Sequence, residues 1–228
     1  MMRILSLLLC CAPLIAQSSD DLLLQVDKLR HPWPSFSVEI ELKSAKASQR
    51  WKVMARDNGD ARVEGLSKKE KGRAVLVLGD AMWLLLPGTK RPIKVTPQQR
   101  LLGPAAGGDI ARTRFAEDYS LKEKGDDVLD GVACWRLTLA AKRPSTSFRT
   151  ASLWVAKNGS RPLKAEFFLP SGKLAKTAIF GAPQSQRGAS VLVRMDLMEP
   201  KGASAELHFD HWVPAAVDPK LFELPIEK

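Results

Sequence analysis

SLWVAKNGSRPLKAEFFLPSGKLAKT, residues 152–177, contains two turn signals between three apolar segments. Asn158-Gly159 predicts a two-residue hairpin turn, because both residues tolerate a positive φ. Pro170-Ser171-Gly172 predicts a second tight turn, since proline fixes φ and glycine releases it. The stretch therefore predicts three consecutive antiparallel strands. Their apolar side chains require either a second apolar layer or a ligand.

Strand signals continue on both sides of this stretch. Residues 35–43 alternate strictly, with Phe36, Val38, Ile40 and Leu42 on one face. The segments AVLVL (74–78) and AMWLLL (81–86) are apolar on both faces, which a sheet with one solvated face avoids. In total the pattern predicts about eleven strands in a single mainly β domain. We expect a curved sheet that encloses an apolar hollow.

Two non-strand regions are also predicted. Leu22, Val26 and Leu29 recur at helical spacing after an N-cap cluster, and His31-Pro32 ends this N-terminal helix. Residues 98–108 are rich in Gly, Pro and Ala, and residues 109–118 predict a short helix. A long insertion of this kind is typical of a lid or functional loop.

The N-terminus indicates export. Residues 1–16 carry one basic residue, Arg3, a short apolar run and a small residue, Ala16, at the end, which is typical of a secretory signal peptide. We therefore expect a periplasmic protein with one domain at residues 17–228. Of the three cysteines only Cys134 would remain, so no internal disulfide is expected, and its apolar neighbours predict a buried thiol.

The net charge of +10 is dispersed along the chain. One of the densest basic runs, Lys68-Lys69-Glu70-Lys71, is broken by an acid, and another is Lys90-Arg91. Two interpretations remain open: an ordinary solvated surface, or transient attraction to an anionic membrane surface. We do not expect a nucleic-acid partner.

No pattern in the chain predicts catalysis. His208 and His211 are three residues apart on a predicted strand, where their side chains point to opposite faces and cannot share a metal ion without a bulge. We expect no metal, no cofactor and no catalytic residues. A hydrolase that uses these histidines is the remaining enzymatic alternative.

Five segments resemble the outer-membrane lipoprotein-sorting proteins, the LolA-like periplasmic carriers. The segments are GRAVLVLGDAMWLLLPGTKRPIKV (72–95), FAEDY (115–119), LDGVACWRLTLAAK (129–142), the opening stretch (152–177) and DPKLFEL (218–224). Within this family the chain looks most like the branch found beside transporters of the resistance-nodulation-division type.

The resemblance implies an unclosed antiparallel β-barrel, covered by helices, whose hydrophobic cavity accepts acyl chains. It also implies a carrier rather than an enzyme. In the best-known lipoprotein carrier of the family an arginine on an early strand helps to hold the lid. Arg50 and Arg56 lie nearby here, but the surrounding residues do not align cleanly, so we assign that role to neither.

From the apolar strands and the six tryptophans we predict which residues contact the ligand. The cavity residues are Trp51, Val53, Trp83, Leu85, Trp135, Leu153, Trp154 and Phe167, and the lid residues are Leu102, Ile110 and Phe115. Because a one-residue shift inverts every side chain of a strand, alternation alone leaves the choice of face open.

The function expected from these observations is a monomeric periplasmic carrier that takes lipoprotein acyl chains or lipids toward the outer membrane. An inner-membrane transporter is a further expected partner. The alternative is a periplasmic sensor or adaptor domain that docks on an envelope transporter or signalling protein.

Overall fold

The computed structural model describes residues 19–45, 47–89, 91–96 and 113–224. Within this part of the chain there are fifteen strands and two short helices, α1 (Ser19–Lys28) and α2 (Phe115–Asp118), followed by a 3-10 turn at Pro219–Phe222. The strands are β1 Phe36–Ser44, β2 Ser48–Ala55, β3 Ala61–Gly65, β4 Ala74–Leu78, β5 Ala81–Leu85, β6 Ile93–Val95, β7 Tyr119–Leu129, β8 Val132–Ala141, β9 Thr150–Ala156, β10 Pro162–Phe168, β11 Leu174–Phe180, β12 Gln184–Gln186, β13 Ala189–Val191, β14 Arg194–Met198 and β15 Ser204–Pro214.

Thirteen of these strands form one antiparallel sheet. Their order is β6-β5-β4-β3-β2-β1-β15-β14-β11-β10-β9-β8-β7, and β12 and β13 form a separate two-stranded ribbon. The sheet is not closed, so β6 and β7 are its edges. The predicted class, a mainly β unclosed antiparallel barrel with an N-terminal helix, is confirmed, although the main sheet has more strands than the sequence predicts.

The separate ribbon takes one of its strands from residues 189–198, where alternation predicts one continuous strand. The structure divides this segment into β13 and β14. Val191 and Leu192 are both buried although they are consecutive, and the Leu192 N–H donates to the Leu29 carbonyl at 2.7 Å. Two successive inward side chains break the period of two that a strand requires.

The sheet curls strongly. Arg143, just after β8, forms an ion pair with Asp80, between β4 and β5, at 3.2 Å. In a flat sheet strands nine places apart lie roughly 45 Å from each other, because neighbouring strands are about 4.8 Å apart. Contact between the two ends therefore requires a concave, barrel-like sheet.

Helix α1 fills one half of this concave face. Its fully buried Leu23 and Val26 join one core with Phe115, Phe148 and Phe167. We call β7–β11 with β14 the filled half, and β1–β5 with β15 the hollow half. The opening stretch of the sequence lies in the filled half, so its second apolar layer is made of side chains.

Of the two turns predicted in that stretch, one is confirmed and the other is wrong. The turn at Pro170-Ser171-Gly172 is confirmed: Gly172 has φ 77° and its N–H donates to the Leu169 carbonyl at 2.9 Å. The prediction of a two-residue turn at Asn158-Gly159 is wrong, because β9 ends at Ala156 and β10 begins at Pro162. Positive φ values occur at Gly159 and Ser160 instead, within a longer connection.

The predicted lid falls mostly outside the described residues. Leu102 and Ile110 lie there, and so do the first four residues of the predicted helix at residues 109–118. Its last four residues form α2.

Candidate functional site

An apolar cavity of about 410 Å³ lies on the concave face of the hollow half. Strands β1–β5 and β15 supply its walls. The side chains in the middle of these strands are apolar: Ile40, Trp51, Val53, Val63 and Leu84 all line the cavity. Its volume falls within the usual range for small-molecule sites.

The walls of the cavity explain why β4 and β5 are apolar on both faces. Val75 and Val77 line the cavity. Leu76 and Trp83 point to the other face, where they pack with Phe222 of the C-terminal 3-10 turn. Each strand is therefore covered on its convex side and faces the cavity on its concave side, so neither face needs polar residues.

Two arginines connect the halves of the sheet at one end of the cavity. Arg114 Nη1 donates to the Asp57 carbonyl, in the turn between β2 and β3, at 3.0 Å. Arg143 bridges Asp118 of α2, at 2.8 Å, and Asp80, at 3.2 Å. These charged contacts make that end of the cavity polar.

A buried carboxylate fixes α2 against α1. Asp27 accepts the backbone N–H groups of Phe115 and Ala116, each at 2.8 Å, and Arg30 Nη2 at 3.1 Å. Burial raises the pKa of Asp27 and lowers the pKa of Arg30, because both charges are removed from water. The pairing and the two backbone donors offset this cost by satisfying the carboxylate.

The other end of the cavity contains a second acidic side chain. Glu70 is buried and accepts Gln49 Nε2 at 3.1 Å and Arg73 Nη1 at 2.9 Å. All three residues line the cavity. The backbone of Glu70 approaches Gly65 so closely that a Cβ there would lie 2.2 Å from the Glu70 carbonyl oxygen. Only glycine allows the loop to close over this end.

The predicted ligand contacts divide between the two halves of the sheet. Trp51 and Val53 line the cavity. Leu153 and Phe167 lie in the filled half, where neither side chain has any exposed surface. Because α1 and its neighbours cover this region, no space for a ligand adjoins these two residues in the described part of the chain.

Trp83 and Leu85 are placed on the opposite face from the cavity, whereas Met82 and Leu84 of the same strand line it. The prediction therefore assigned the wrong face of β5 to the cavity. The segment AMWLLL is apolar at every position, so alternation contains no signal that could select the correct face.

The two tryptophans of β8 and β9 also lie away from the cavity. The Trp135 ring is flanked by the ammonium groups of Lys124 and Lys157, 4.1 Å and 4.2 Å from its centroid. Trp154 Nε1 donates to Asp127 Oδ2 at 2.8 Å. Whether any of the predicted residues binds a ligand stays a prediction.

Phe115, the one predicted lid residue in the described part of the chain, has no exposed surface. Its ring stacks on Phe167 with the centroids 6.2 Å apart, and the Arg30 guanidinium lies 5.0 Å from its centroid. Phe115 is therefore part of the core.

Several cavity residues were not among the predicted contacts. The residues are Ile40, Val63, Val75, Met82, Leu84, Phe209 and Trp212. For Ile40 a signal existed, because the alternation of residues 35–43 placed it on one face with Phe36 and Val38. For Trp212 there was none, because the register of β15 shifts around His211, whose φ is 52°, and the alternation is lost there.

The histidines and the cysteine show no shared site. His208 lies 3.1 Å from Glu206 and His211 lies 3.9 Å from Glu39, so they contact different carboxylates. Within the described ranges no three His, Cys, Asp or Glu side chains cluster in a way that would hold a metal ion. Cys134 is a buried free thiol, as predicted, and burial raises its pKa.

Helices α1 and α2 are short. No helix in the described part of the chain has the length and apolar character needed to cross a membrane.

An unclosed antiparallel sheet with helices and an apolar cavity on its concave face defines a class of fold, and comparison with solved structures identifies it. A LolA superfamily protein from Nitrosomonas europaea superposes with a TM-score of 0.80 at 27% identity, covering 90% of this chain and 97% of that one. A domain from Vibrio parahaemolyticus described as an outer membrane lipoprotein-sorting protein domain gives 0.69 at 22% identity, covering 88% and 94%. A DUF1329 family protein from Desulfovibrio piger gives 0.75 at 16% identity, covering 90% and 95%.

Two sequence comparisons were also made. A protein-family model whose description reads "Uncharacterized protein" matches residues 65–225, which is more than half of the chain. No curated protein matches the chain. The chain belongs to the family that this model describes, and its fold is that of the LolA-like, lipoprotein-sorting superfamily.

Proposed function

We propose that this protein is a periplasmic carrier that binds the acyl chain of a lipid or lipoprotein in the apolar cavity and moves it toward the outer membrane. The observation that carries the proposal is the cavity itself, walled by apolar side chains of six strands on a LolA-like sheet. The leader-like residues 1–16 support a periplasmic location.

The size of the cavity favours one acyl chain at a time. If a methylene group takes about 30 Å³, the volume of a water molecule in the liquid, a cavity of about 410 Å³ holds roughly fourteen of them. Each methylene transferred from water contributes about 0.8 kcal/mol. Such a chain therefore gains on the order of 11 kcal/mol relative to water, which offsets the similar cost of removing it from a membrane.

The polar ends of the cavity suit the same role. An acyl chain needs apolar walls along its length, and its head group needs polar contacts at one end. The charged groups at the two ends, Arg143 with Asp118 and Arg73 with Glu70, offer such contacts. We propose binding without catalysis, since no step of this function requires a reacting side chain.

The proposal is tested by native mass spectrometry of the protein purified from a periplasm, followed by titration with a fluorescent fatty acid. We expect copurified lipid and saturable binding. Val63→Trp, which fills the middle of the cavity, should weaken binding at least tenfold, whereas Val128→Trp, at a position 66% exposed, should not. A lipid-free mass with no fatty-acid uptake would contradict the proposal; a stoichiometric protein partner recovered with no lipid would favour an adaptor instead.

A further inference from the structure

A basic loop closes the end of the cavity where Glu70 lies. This basic loop, residues 66–73, joins β3 to β4 and has the sequence LSKKEKGR. Glu70 and Arg73 of the loop line the cavity, as does the neighbouring Gln49. The loop therefore has one side toward the cavity and one side toward solvent.

The acid that interrupts the lysines in the sequence does not interrupt them on the surface. Glu70 is only 7% exposed and is bonded to Gln49 and Arg73, so its charge is turned inward and compensated. Lys68, Lys69 and Lys71 are all exposed. In the described ranges none of these three lysines has a carboxylate partner. Three uncompensated positive charges thus lie together on the outer side of the loop.

The same loop exposes an apolar side chain. Leu66 is 42% exposed, although its own backbone is well held: its N–H donates to the Arg50 carbonyl at 2.8 Å. The Gly65 N–H donates to the Arg73 carbonyl at 3.0 Å, and the Glu70 N–H donates to the Ser67 carbonyl at 2.8 Å. These hydrogen bonds fix the backbone of the loop. The lysines and Leu66 are therefore already in place at the surface, and the backbone does not have to become ordered on docking.

We propose that the basic loop docks on an anionic phospholipid bilayer and holds this end of the cavity against it. Positive charge is complementary to anionic head groups, and an exposed leucine inserts favourably among acyl chains. Because the docked loop forms the end of an apolar cavity, docking brings the cavity to the source or destination of its ligand. The three lysines and Leu66 do not line the cavity, so docking is tested independently of ligand binding.

The experiment is flotation of the protein with vesicles of phosphatidylcholine alone or with phosphatidylglycerol added. We expect binding only to the phosphatidylglycerol vesicles. It should fall steeply between about 0.1 M and about 1 M salt, because the Debye length shortens from about 10 Å to about 3 Å. Each lysine near an anionic surface contributes roughly fivefold, so the triple variant Lys68→Gln, Lys69→Gln, Lys71→Gln should lose on the order of 100-fold.

A matched control removes the same charge elsewhere. Lys28, Lys122 and Lys124 are also exposed lysines, and they lie on α1 and on the edge strand β7, in the filled half of the molecule. Their triple replacement by Gln should leave vesicle binding within about threefold, since these lysines lie outside the docking surface. Equal losses in the two triple variants would overturn the proposal, and so would equal binding to phosphatidylcholine alone or retention by an oligonucleotide without vesicle binding.

Fluorescent fatty acid in solution, without vesicles, separates this inference from the proposed function. The loop variant should keep the affinity of the unmodified protein for the fatty acid. Loss of vesicle binding with fatty-acid binding intact supports the docking surface. If the unmodified protein floats with anionic vesicles but takes up no fatty acid, docking stands and the carrier function fails.

Discussion

The filled half and the hollow half of the sheet are built from the same kind of strand but cover their concave faces differently. In the filled half, α1 and a group of aromatic side chains cover the strands, and residues such as Leu153 and Phe167 have no exposed surface. In the hollow half the corresponding face surrounds a cavity of about 410 Å³. One sheet therefore combines a core that provides stability with a cavity that is available for a ligand.

Each half also contains an acid–arginine pair separated by three residues, and the two pairs differ in burial. In the pair of the filled half, Asp27 and Arg30, the side chains are 9% and 2% exposed. In the pair at the end of the cavity, Glu70 and Arg73, they are 9% and 49% exposed. In the filled half both charges of the pair are therefore removed from water, whereas at the end of the cavity the arginine of the pair stays in contact with water.

The largest effect is expected when the buried pair is broken. Asp27→Asn removes the carboxylate that is bonded to the buried Arg30 guanidinium, which should cost about 3–5 kcal/mol in the free energy of unfolding. Glu70→Gln leaves Arg73 in contact with water and should cost about 1 kcal/mol. Urea unfolding measures both, and similar losses for the two variants would contradict the distinction between the halves.

The next largest change in the free energy of unfolding is expected from a matched pair of leucine truncations, one in each half of the sheet. Leu153→Ala removes a fully buried side chain in the filled half and should cost about 2–5 kcal/mol. Leu84→Ala enlarges a cavity that already exists and should cost about 1 kcal/mol, since less packing is lost. If Leu84→Ala proves as costly as Leu153→Ala, the hollow half is packed as tightly as the filled half.

Ligand should stabilise the protein through the hollow half alone. A fatty acid at about 100 times its Kd should raise the free energy of unfolding by about 2.7 kcal/mol. Thermal unfolding with and without the fatty acid measures this increase. It should disappear in Val63→Trp and persist in Val128→Trp, because only the first side chain enters the cavity.

The smallest expected effect is on the pKa of Asp127, which is bonded to Trp154 on the convex face of the filled half. The Trp154 indole N–H and the Val128 backbone N–H bond the Asp127 carboxylate and hold its pKa below the ordinary value. A lowered pKa contributes stability that is present above the unfolded pKa and is lost as the pH falls through the folded one. Trp154→Phe should raise the pKa of Asp127 in an NMR titration, whereas adding fatty acid should leave that pKa unchanged.

The sequence predicted the strands and the fold class because their signals are local. The alternation of residues 35–43 correctly gave one face of β1, and the turn at Pro170-Ser171-Gly172 is set by its own residues. The helix at Ser19–Lys28 follows from its cap residues and apolar spacing. Each of these features needs no information about distant parts of the chain.

The cavity was harder to predict because its position depends on what covers each face. Trp83 and Met82 are adjacent and both apolar, and only the packing of Phe222 against Trp83 leaves Met82 for the cavity. Similarly, Leu153 becomes core because it belongs to one buried cluster with residues of α1, more than a hundred residues earlier. Sequence patterns indicate that two faces are apolar but not which element covers which face.

The central claim is that ligand occupies the hollow half only, and the six tryptophans report on it directly. In a ¹⁵N-labelled sample each indole N–H gives one NMR signal, which single Trp→Phe variants assign. On titration with a fatty acid we expect the signals of Trp51 and Trp212 to shift, since both line the cavity, while those of Trp83, Trp135 and Trp154 remain in place. Shifts at Trp135 and Trp154 with Trp51 unmoved would contradict the account.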